Sequence, residues 1–519
     1  MHGIRLGLLL VLITLTLAST SALGQEKTTT VLIETDKGFV EVELDAARAP
    51  VTVANFLRYV DAKYYNAGRF HRTVKLGNQP DNKVKIEVIQ ADVRPDKAKD
   101  VFAPIKLERT RDTKLAHKDG TISMARDGPD SATADFFICI GAQSELDFGG
   151  KRNPDGQGFA AFGSVVKGMD VVKKIQAAPT EGQALTPPIK ILSVTRLPVY
   201  AWERVTAKAS FAPRDGAGAL TFQGRMWLLG GWNPGDKKHF PRTCNNEVWS
   251  SADGKDWRLD KANSFLDKTF DSAKDWEGRH TAGYVVHQNK MWIVGGDVNQ
   301  GHYHFDVWNS GDGKTWTNVN AGKPVPWGPR ALHYTLAFKD KILIIGGQTV
   351  PNFAGAKEVF YRDVWNSSDG VAWTEVKPKE PYWPQRGMIG GSAIFKGRIW
   401  ILGGGTYDTP KIPTRKFFND VWSSADGIDW TRHLETAPWA PRQYHEVAVF
   451  DDRLWVLEGY HKANRNDVWH SADGVNWREV PNTPWRPRHA ASVFVYDGAL
   501  WMVAGNNMES DVWKLTRKR

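Results

Sequence analysis

A short segment that recurs along the second half of the chain restricts its fold more than any other feature. NEVWSSADGKDW returns as FDVWNSGDGKTW, RDVWNSSDGVAW, NDVWSSADGIDW and NDVWHSADGVNW, and the chain ends on a shortened copy, SDVWKL. The six copies are marked by tryptophans spaced 44 to 59 residues apart, namely Trp249, Trp308, Trp365, Trp422, Trp469 and Trp513. Repetition at such a period is typical of folds in which each repeat is one small unit that packs on its neighbours. The second half is therefore predicted to contain six similar structural units.

The internal order of each copy predicts four short strands. Each copy opens with an arginine, and these are Arg214, Arg279, Arg330, Arg386, Arg442 and Arg488. An apolar segment follows, then a turn, then a second apolar segment that usually ends in a glycine pair, as in MWLLGG and IWILGG. The marker tryptophan lies in a third strand, and the Asp-Gly dipeptide after it fits a tight hairpin turn because glycine tolerates positive φ. A fourth strand carries a second tryptophan, which gives each copy the antiparallel strands of one propeller blade.

The two ends of this repeat region are predicted to meet. The sixth copy stops before its fourth strand, whereas the segment AWERV at 201–205 is similar to the fourth strands DWRLD and NWREV of other copies. A strand from the start of the region would then complete the last blade and close the ring. The region 199–519 resembles the kelch-type β-propellers, with six blades.

Tryptophan also marks a domain boundary. All 23 tryptophans of the chain follow residue 200, and the change in composition falls near LPVYAW at 197–202. So sharp a change within one chain indicates two domains of different composition. Residues 29–198 are therefore predicted to fold as a separate domain.

The N-terminal segment has the pattern of an export signal. In MHGIRLGLLLVLITLTLASTSALGQ an arginine precedes an apolar run, and small residues follow with Ala22 and Gly24 at the spacing of a cleavage site. Residues 1–24 are predicted to be a signal peptide cleaved near Gly24–Gln25, the alternative being a membrane anchor. No later segment approaches the ~20 apolar residues of a membrane span. A mature chain without a span, in the periplasm or secreted, is expected. Cys139 and Cys244 are too few for a disulfide framework and are expected to be free thiols.

The first half is predicted to be a small β-barrel with two helices. Residues 29–45, TTVLIETDKGFVEVELD, alternate in polarity around a turn and predict a β-hairpin. APVTVANFLRYVDAKYY has apolar residues at helical spacing, a second helix is predicted near 167–176, and strands dominate the remainder. No metal-ligand cluster, Ser/His/Asp arrangement or glycine-rich phosphate loop stands out in the sequence, so neither a metal nor a cofactor is expected. The net charge of +10 is thinly spread, without a long basic block, and this argues against a nucleic-acid partner.

Several motifs of this first half occur in a characteristic order. They are FHR within RFHRTV at 69–74, IQ within KIEVIQADV, SMAR followed by DSAT and FFI, and FGSVVKGMDVV. With these motifs, residues 29–198 resemble the cyclophilin-type peptidyl-prolyl cis-trans isomerases, most of all the bacterial exported branch. The resemblance implies a closed eight-stranded barrel capped by two helices, an active groove on its outer face, and no cofactor. It also implies that the partners are proline-containing peptides and unfolded client proteins.

The resemblance assigns roles to individual residues. Arg72 matches the family's catalytic arginine, and Gln90 matches the glutamine that binds the substrate backbone. Phe70 and His71, beside the arginine, are expected to be packing residues, and Phe137 is expected to form the apolar pocket for the proline ring. The positions implied to bind substrate are Val88, Ala125, Arg126, Asp135, Phe137, Leu146 and Phe159.

The chain departs from the family pattern in the groove. KLGNQPDNKVK is inserted between the two catalytic positions. Glu87 and Val88 stand where phenylalanine and methionine are usual, Arg126 and Asp135 replace an asparagine and a glutamine, and Glu145 replaces a rim aromatic. A more charged and less apolar groove would hold proline less tightly. Two functions are left open. The first is an exported isomerase that assists folding, with a propeller that binds clients or partners. The second is a catalytically weak peptide-binding module on a glycan- or protein-binding propeller.

The six opening arginines allow two interpretations. Near one mouth of the propeller channel, they would form a positive ring suited to the carboxylates of an acidic protein or glycan partner. Alternatively, each arginine is a structural residue that bonds carbonyl groups of a neighbouring blade. The tryptophans are expected to be blade core and not a sugar-binding row.

Overall fold

The chain forms two compact units that divide between Pro198 and Val199. The computed structural model of the protein describes residues 29–518 except 237–242, 298–301, 322, 350–356, 388–390 and 408–413. The predicted signal peptide 1–24, with its cleavage position near Gly24–Gln25, lies outside the described residues. No helix among the residues described is long and apolar enough to cross a membrane.

The first unit is a closed barrel of eight antiparallel strands with a two-residue strand added to one of them. Its strands are β1 (Thr29–Thr35), β2 (Gly38–Leu44), β3 (Arg69–Val74), β4 (Val88–Asp92), β5 (Thr121–Met124), β6 (Phe136–Cys139), β7 (Ala160–Lys167), β8 (Thr180–Glu181) and β9 (Ala184–Arg196). The order around the barrel is β1-β2-β7-β5-β6-β4-β3-β9, and β9 pairs with β1 to close it. Closure leaves the eight main strands without a free edge, and only the short β8 ends the sheet beside β9. The expectation of an eight-stranded barrel is confirmed.

Helices cover the barrel core within residues 29–198. They are α1 (Pro50–Asp61), α2 (Thr110–Thr113) and α3 (Met169–Ala177). Pro50 occupies the first turn of α1, where its fixed φ is compatible with a helix and no backbone donor is lost. Phe56 of α1 and Val172 and Ile175 of α3 are fully buried in the same cluster as the inward-facing strand residues. Both predicted helices are therefore present, and the structure adds the four-residue α2.

The described part of the second unit consists of six four-stranded antiparallel sheets and one two-stranded sheet, and the strands of each four-stranded sheet follow one another in the chain except in blades 3 and 6. Blade 1 has β11 (Gly218–Phe222), β12 (Arg225–Leu229), β13 (Val248–Ser251) and β14 (Arg258–Lys261). Blade 2 has β15 (Gly283–His287), β16 (Lys290–Val294), β17 (Val307–Ser310) and β18 (Thr317–Asn318). Blade 3 has β19 (Tyr334–Phe338), β20 (Lys341–Ile345), β23 (Val364–Ser367) and β24 (Thr374–Val376), and between β20 and β23 the chain forms the short pair β21 (Gln348–Thr349) and β22 (Val359–Phe360). Blade 4 has β25 (Ser392–Phe395), β26 (Arg398–Gly405), β27 (Phe417–Ser424) and β28 (Trp430–Leu434). Blade 5 has β29 (Glu446–Phe450), β30 (Arg453–Leu457), β31 (Val468–Ser471) and β32 (Trp477–Glu479). Blade 6 has β33 (Ser492–Tyr496), β34 (Ala499–Val503), β35 (Val512–Arg517) and β10 (Tyr200–Thr206). The six-bladed propeller is confirmed, and the resemblance to the kelch type stays a prediction.

The first strand of the propeller completes its last blade. β10 pairs antiparallel with β35, with Trp202 opposite Leu515. Trp202 also meets Trp485 edge-to-face, with 5.8 Å between ring centroids. In blade 4 the fourth-strand Trp430 meets Trp383 in the same way at 6.2 Å. The N-terminal strand therefore takes both the position and the packing role of a fourth strand, as the similarity of AWERV to other copies predicts.

The six opening arginines are structural residues, and the partner-binding interpretation of Arg214, Arg279, Arg330, Arg386, Arg442 and Arg488 is not supported by their positions. All six are 0 to 1 % exposed. In blade 4, Arg386 donates to the carbonyl oxygen of Gly403 at 2.6 Å and to both carboxylate oxygens of Asp420 at 2.7 and 2.8 Å. The marker Trp422 donates its indole N–H to the same carboxylate at 2.8 Å.

The same arrangement recurs in every blade. The carboxylates that pair with the arginines are Glu247, Asp306, Asp363, Asp420, Asp467 and Asp511. Each bonded carbonyl oxygen belongs to the arginine's own blade, so the expected bond to a neighbouring blade is also corrected. A buried guanidinium must be paired because burying an unpaired charge is costly. Ligands at the channel mouth therefore meet no free arginine ring.

Both cysteines are free thiols, as predicted from their small number. Cys139 is buried on β6 of the barrel, and Cys244 is buried in the propeller. Neither is part of a disulfide bond in the described structure.

Candidate active site

One cavity of about 430 Å³ on the barrel unit brings together all nine residues predicted for the catalytic and substrate-binding positions. Strands β3, β4 and β6 and the segments that flank β5 and β7 supply its wall. The predicted residues in this wall are Arg72, Val88, Gln90, Ala125, Arg126, Asp135, Phe137, Leu146 and Phe159. The motifs that are far apart in the sequence thus meet at one place on the barrel.

A β-bulge brings Arg72 to this cavity. Alternation along a strand would place Arg72 on the same face as Phe70, which is fully buried in the barrel core. The pairing of β3 with β4 shifts register between Phe70 and Arg72, so the extra residue His71 changes the face on which Arg72 lies. His71 is partly exposed, with Nδ1 3.6 Å from Oδ2 of Asp92. Arg72 then lies directly opposite Gln90 of β4.

Two glutamine side chains fix the guanidinium of Arg72. Nη1 donates to Oε1 of Gln90 at 3.0 Å, while Nε and Nη2 both donate to Oε1 of Gln183 at 2.9 and 2.6 Å. Partial burial lowers the pKa of Arg72, but a guanidinium stays protonated at neutral pH. These bonds use three of the five N–H groups of the Arg72 guanidinium, which leaves two that can donate to another group. The arginine is thus a rigid cationic donor in the wall of the cavity.

The wall next to Arg72 is apolar. Phe137 and Phe159 meet edge-to-face with 5.5 Å between ring centroids, and Val88 and Leu146 are buried beside them. Ile86, which directly follows the inserted segment, belongs to the same cluster and was not predicted. Such a surface suits the ring of proline, which is apolar and offers no N–H.

Two of the charged replacements expected in the groove lie elsewhere. Strand alternation turns Glu87 away from Val88, and its Oε1 accepts a hydrogen bond from Gln176 of α3 at 3.1 Å. Glu145 accepts from the backbone N–H of Lys151 at 2.8 Å. Neither side chain lines the cavity. The prediction that these two acids make the groove more charged is therefore wrong.

Arg126 lines the cavity, but its charge is paired. Its Nη1 and Nη2 donate to the two carboxylate oxygens of Asp155 at 2.7 and 2.9 Å, and its Nε donates to the carbonyl oxygen of Gly158. The guanidinium lies 5.1 Å from the ring centre of Phe159. Hydrogen bonding to Arg126 in turn lowers the pKa of Asp155. Arg126 therefore supports the aromatic wall more than it adds a free positive charge.

The cavity wall also carries acidic residues, Asp127 and Asp135. Asp135 accepts a hydrogen bond from Nε2 of Gln90 at 3.4 Å, and Asp127, Ser131 and Thr133 lie in the same wall. Burial raises the pKa of Asp135, and the neighbouring carboxylates of Asp92 and Asp127 act in the same direction. The replacement of a glutamine by Asp135 thus puts a partly buried carboxyl group next to a predicted catalytic glutamine.

Two residues of the site were missed by sequence reasoning. Gln183 is 111 residues from Arg72 and lies in the turn between β8 and β9, where no motif marks it. Arg152 lines the cavity and holds the inserted segment through Nη1, which donates to the carbonyl oxygen of Val84 at 2.7 Å and to Oε1 of Gln79 at 3.0 Å. Burial and the nearby Arg72 both lower the pKa of Arg152.

The barrel unit therefore has a groove in which a fixed guanidinium lies beside an apolar wall, an arrangement that can hold a proline-containing peptide. The sequence model of the family described as cyclophilin type peptidyl-prolyl cis-trans isomerase/CLD matches residues 30–196. The chain belongs to this family, and it is a peptidyl-prolyl cis-trans isomerase.

Curated relatives agree with this assignment. Peptidyl-prolyl cis-trans isomerase A of Dickeya dadantii (strain 3937) is 39% identical over 165 residues, which are 32% of this chain and 80% of that protein. The peptidyl-prolyl cis-trans isomerase of Acinetobacter baylyi (strain ATCC 33305 / BD413 / ADP1) is 36% identical over 172 residues, 32% of this chain and 84% of that protein. Peptidyl-prolyl cis-trans isomerase B of Escherichia coli (strain K12) is 36% identical over 157 residues, 29% of this chain and 85% of that protein.

Proposed function

We propose that the protein is an exported folding enzyme whose reaction depends on Arg72 and whose propeller binds clients or partners. The observation that supports the catalytic part is the guanidinium of Arg72, held by Gln90 and Gln183 beside an apolar wall. The observation that supports a separate role for the propeller is that every residue of the groove belongs to the barrel unit. The propeller is therefore not needed to build the active site.

The proposed reaction is a rotation about one amide bond. An X-Pro bond has cis and trans forms of similar free energy but a barrier of about 18–20 kcal/mol, because rotation breaks the amide conjugation. Catalysis requires that the groove bind the twisted amide better than either planar form. No bond is made or broken, so no nucleophile is involved.

Arg72 is proposed to supply this preference. In the twisted amide the prolyl nitrogen regains its lone pair and becomes a hydrogen-bond acceptor. A guanidinium that is already fixed by two side chains can donate to this nitrogen with little rearrangement. The ring of proline would lie against Phe137, Leu146 and Val88, while Gln90 contacts the peptide backbone. The donor is then used fully only in the transition state.

The first experiment measures isomerisation of a short X-Pro peptide by the purified mature protein and by Arg72→Ala. Loss of one donor to a transition state lowers kcat/KM on the order of 100-fold. Arg69→Ala is the matched control, because Arg69 lies on the same strand, pairs with Asp92 and does not line the cavity. Normal activity of Arg72→Ala would overturn the assignment. If the folded wild-type protein is inactive as well, the catalytically weak peptide-binding module remains as the function of the barrel.

The propeller and export proposals have their own tests. Cross-linking of the full chain to an unfolded proline-containing protein should give contacts in residues 199–518 as well as in the barrel. Cross-links confined to the barrel would contradict client binding by the propeller. Export is tested by fractionation of expressing cells. The mature protein should be found in the periplasm or medium with Gln25 as its first residue, and uncleaved protein in the cytoplasm would contradict export.

A further inference from the structure

Three metal-ligating side chains meet on blade 2 of the propeller, in the other unit from the isomerase groove. Glu277 lies in the connection between β14 and β15, and His302 and His304 lie in the loop between β16 and β17. One ligand atom of each side chain lies within 4.8 Å of the other two. Two imidazoles and one carboxylate are a ligand set that suits zinc and other first-row transition metals.

The distance between two of these ligands fits a shared metal ion. Nε2 of His304 is 3.5 Å from Oε2 of Glu277. Bond lengths of about 2.0–2.2 Å to zinc put neighbouring ligand atoms of a tetrahedron roughly 3.4 Å apart. The third ligand, His302, is exposed, and its ring lies 5.0 Å from that of His304 between centroids. An exposed imidazole can complete the set by a small change of rotamer.

One of the two ligands, His304, also has a buried ring nitrogen without a hydrogen-bond partner. His304 is 9 % exposed, and its Nε2 has no hydrogen-bond partner among the described residues although it points towards the carboxylate of Glu277. Buried polar atoms are nearly always hydrogen-bonded, so an exception calls for an explanation. A cation between this nitrogen and the carboxylate of Glu277 would give the nitrogen a partner.

The surroundings of His304 orient it for such a role. Its other ring nitrogen, Nδ1, faces Oδ2 of Asp306 at 3.9 Å. At this distance the contact is electrostatic and not a hydrogen bond, because the carboxylate of Asp306 accepts from Arg279 and Trp308. The backbone of His304 is held on both sides, by its N–H bond to Gly296 at 2.8 Å and by the bond from Arg330 to its carbonyl oxygen at 3.2 Å.

We propose that Glu277, His302 and His304 bind a divalent transition-metal ion, with zinc as the expected ion. The three side chains provide three ligands, and water or a group from a bound partner takes the fourth position. The ion joins the connection before blade 2 to the loop inside blade 2. Glu277 is 25 residues before His302 in the chain and no compact ligand motif unites them, so the site is not evident from the sequence.

The test is zinc binding by the tag-free full-length mature protein after removal of metals with a chelator. Equilibrium dialysis against zinc, with metal analysis of the protein, should give one ion per chain. His302→Ala and Glu277→Gln should each weaken the affinity at least tenfold, because each removes one ligand. His302 is exposed and Glu277→Gln keeps the side-chain size, so both proteins should fold. The absorption bands of bound cobalt(II), which depend on coordination geometry, give a second readout.

The matched control is His461→Ala. His461 is partly exposed and lies between β30 and β31, the loop of blade 5 that corresponds to the loop of His302 and His304 in blade 2. This protein should bind zinc like the wild type, and all three variants should keep isomerase activity because the groove lies in the other unit. The proposal is overturned if the wild type takes up no stoichiometric zinc. It is equally overturned if His302→Ala and Glu277→Gln bind zinc as the wild type does.

Discussion

Gln183 is expected to position Arg72 for catalysis; apart from its bonds to Arg72, its side chain donates one hydrogen bond, to the carbonyl oxygen of Asn78 at 3.2 Å. Its Oε1 accepts from both Nε and Nη2 of Arg72, at 2.9 and 2.6 Å. The backbone carbonyl of Gln183 accepts from the N–H of Thr73 at 2.9 Å, and this bond does not depend on the side chain. Gln183→Ala therefore removes two bonds to the guanidinium and leaves only the bond to Gln90.

The size of the effect follows from these bonds. A hydrogen bond that involves a charged group contributes about 1.5–3 kcal/mol when it is buried. Arg72 is only partly buried and water can replace part of each bond, so about 1.5–2.5 kcal/mol is reasonable for the two together. At about 1.4 kcal/mol per factor of ten, kcat/KM should fall roughly 10- to 70-fold. This loss is smaller than that of Arg72→Ala because a mobile guanidinium still visits the productive position.

The assay is the isomerisation of an X-Pro peptide with kcat and KM measured separately. The apolar wall that binds proline is unchanged, so KM should stay near its wild-type value and the loss should appear in kcat. Gln176→Ala is the matched control, since Gln176 bonds Glu87 and does not line the cavity. If Gln183→Ala keeps wild-type kcat/KM while Arg72→Ala loses it, Arg72 does not need this support and the reasoning is refuted.

Three further predictions concern stability. Burial raises the pKa of Asp135, so its ionisation destabilises the fold as pH rises from the unfolded-state pKa near 3.9 towards the raised value. Asp135→Asn should therefore raise the urea midpoint of the barrel at neutral pH but not below about pH 3. An equal rise of the midpoint at both pH values would contradict the role of Asp135 ionisation. Arg386→Met leaves the carboxylate of Asp420 buried without its partner and should destabilise the propeller by about 3–5 kcal/mol. Tryptophan fluorescence, which arises only from the propeller, measures this loss. The exposed Arg432 is its control, and an equal effect of Arg432→Ala would contradict the argument. Trp202→Ala removes the anchor of the closing strand and should cost about 2–4 kcal/mol in the same assay, whereas an unchanged midpoint would show that the ring does not depend on it.

The propeller fold could be predicted largely from the sequence because the sequence of residues 199–519 repeats. The period, the Asp-Gly turns and the missing fourth strand together indicated the six blades and their closure. The role of the arginines was also visible in part, since an acidic residue stands two positions before every marker tryptophan, as in NEVW and RDVW. That acid is the partner of the arginine in each blade. The pairing is not evident from local sequence because the arginine precedes the first strand of its blade and the acid follows 23 to 34 residues later, in or just before the third strand.

The site was predictable only where motifs mark it. Nine residues came from the resemblance, whereas Gln183 lies in an unmarked turn more than a hundred residues from its partner Arg72. The bulge at His71 was not predictable either, because strict alternation would have buried Arg72 beside Phe70. Strand register is set by pairing across the whole barrel, so local sequence patterns do not reveal it.

The charged replacements in the groove leave its apolar wall intact. Glu87 and Glu145 point away from the cavity, and the charge of Arg126 is paired with Asp155. What remains in the centre is an aromatic and aliphatic wall, to which the segment after the insertion adds Ile86. The proline ring therefore meets a surface that is still apolar. The acidic residues Asp127 and Asp135 and the basic residues Arg72 and Arg152 all line the groove, so its wall carries charges of both signs. Because charge complementarity mainly sets specificity, these groups should select among peptides by the residues that flank proline and not by proline itself.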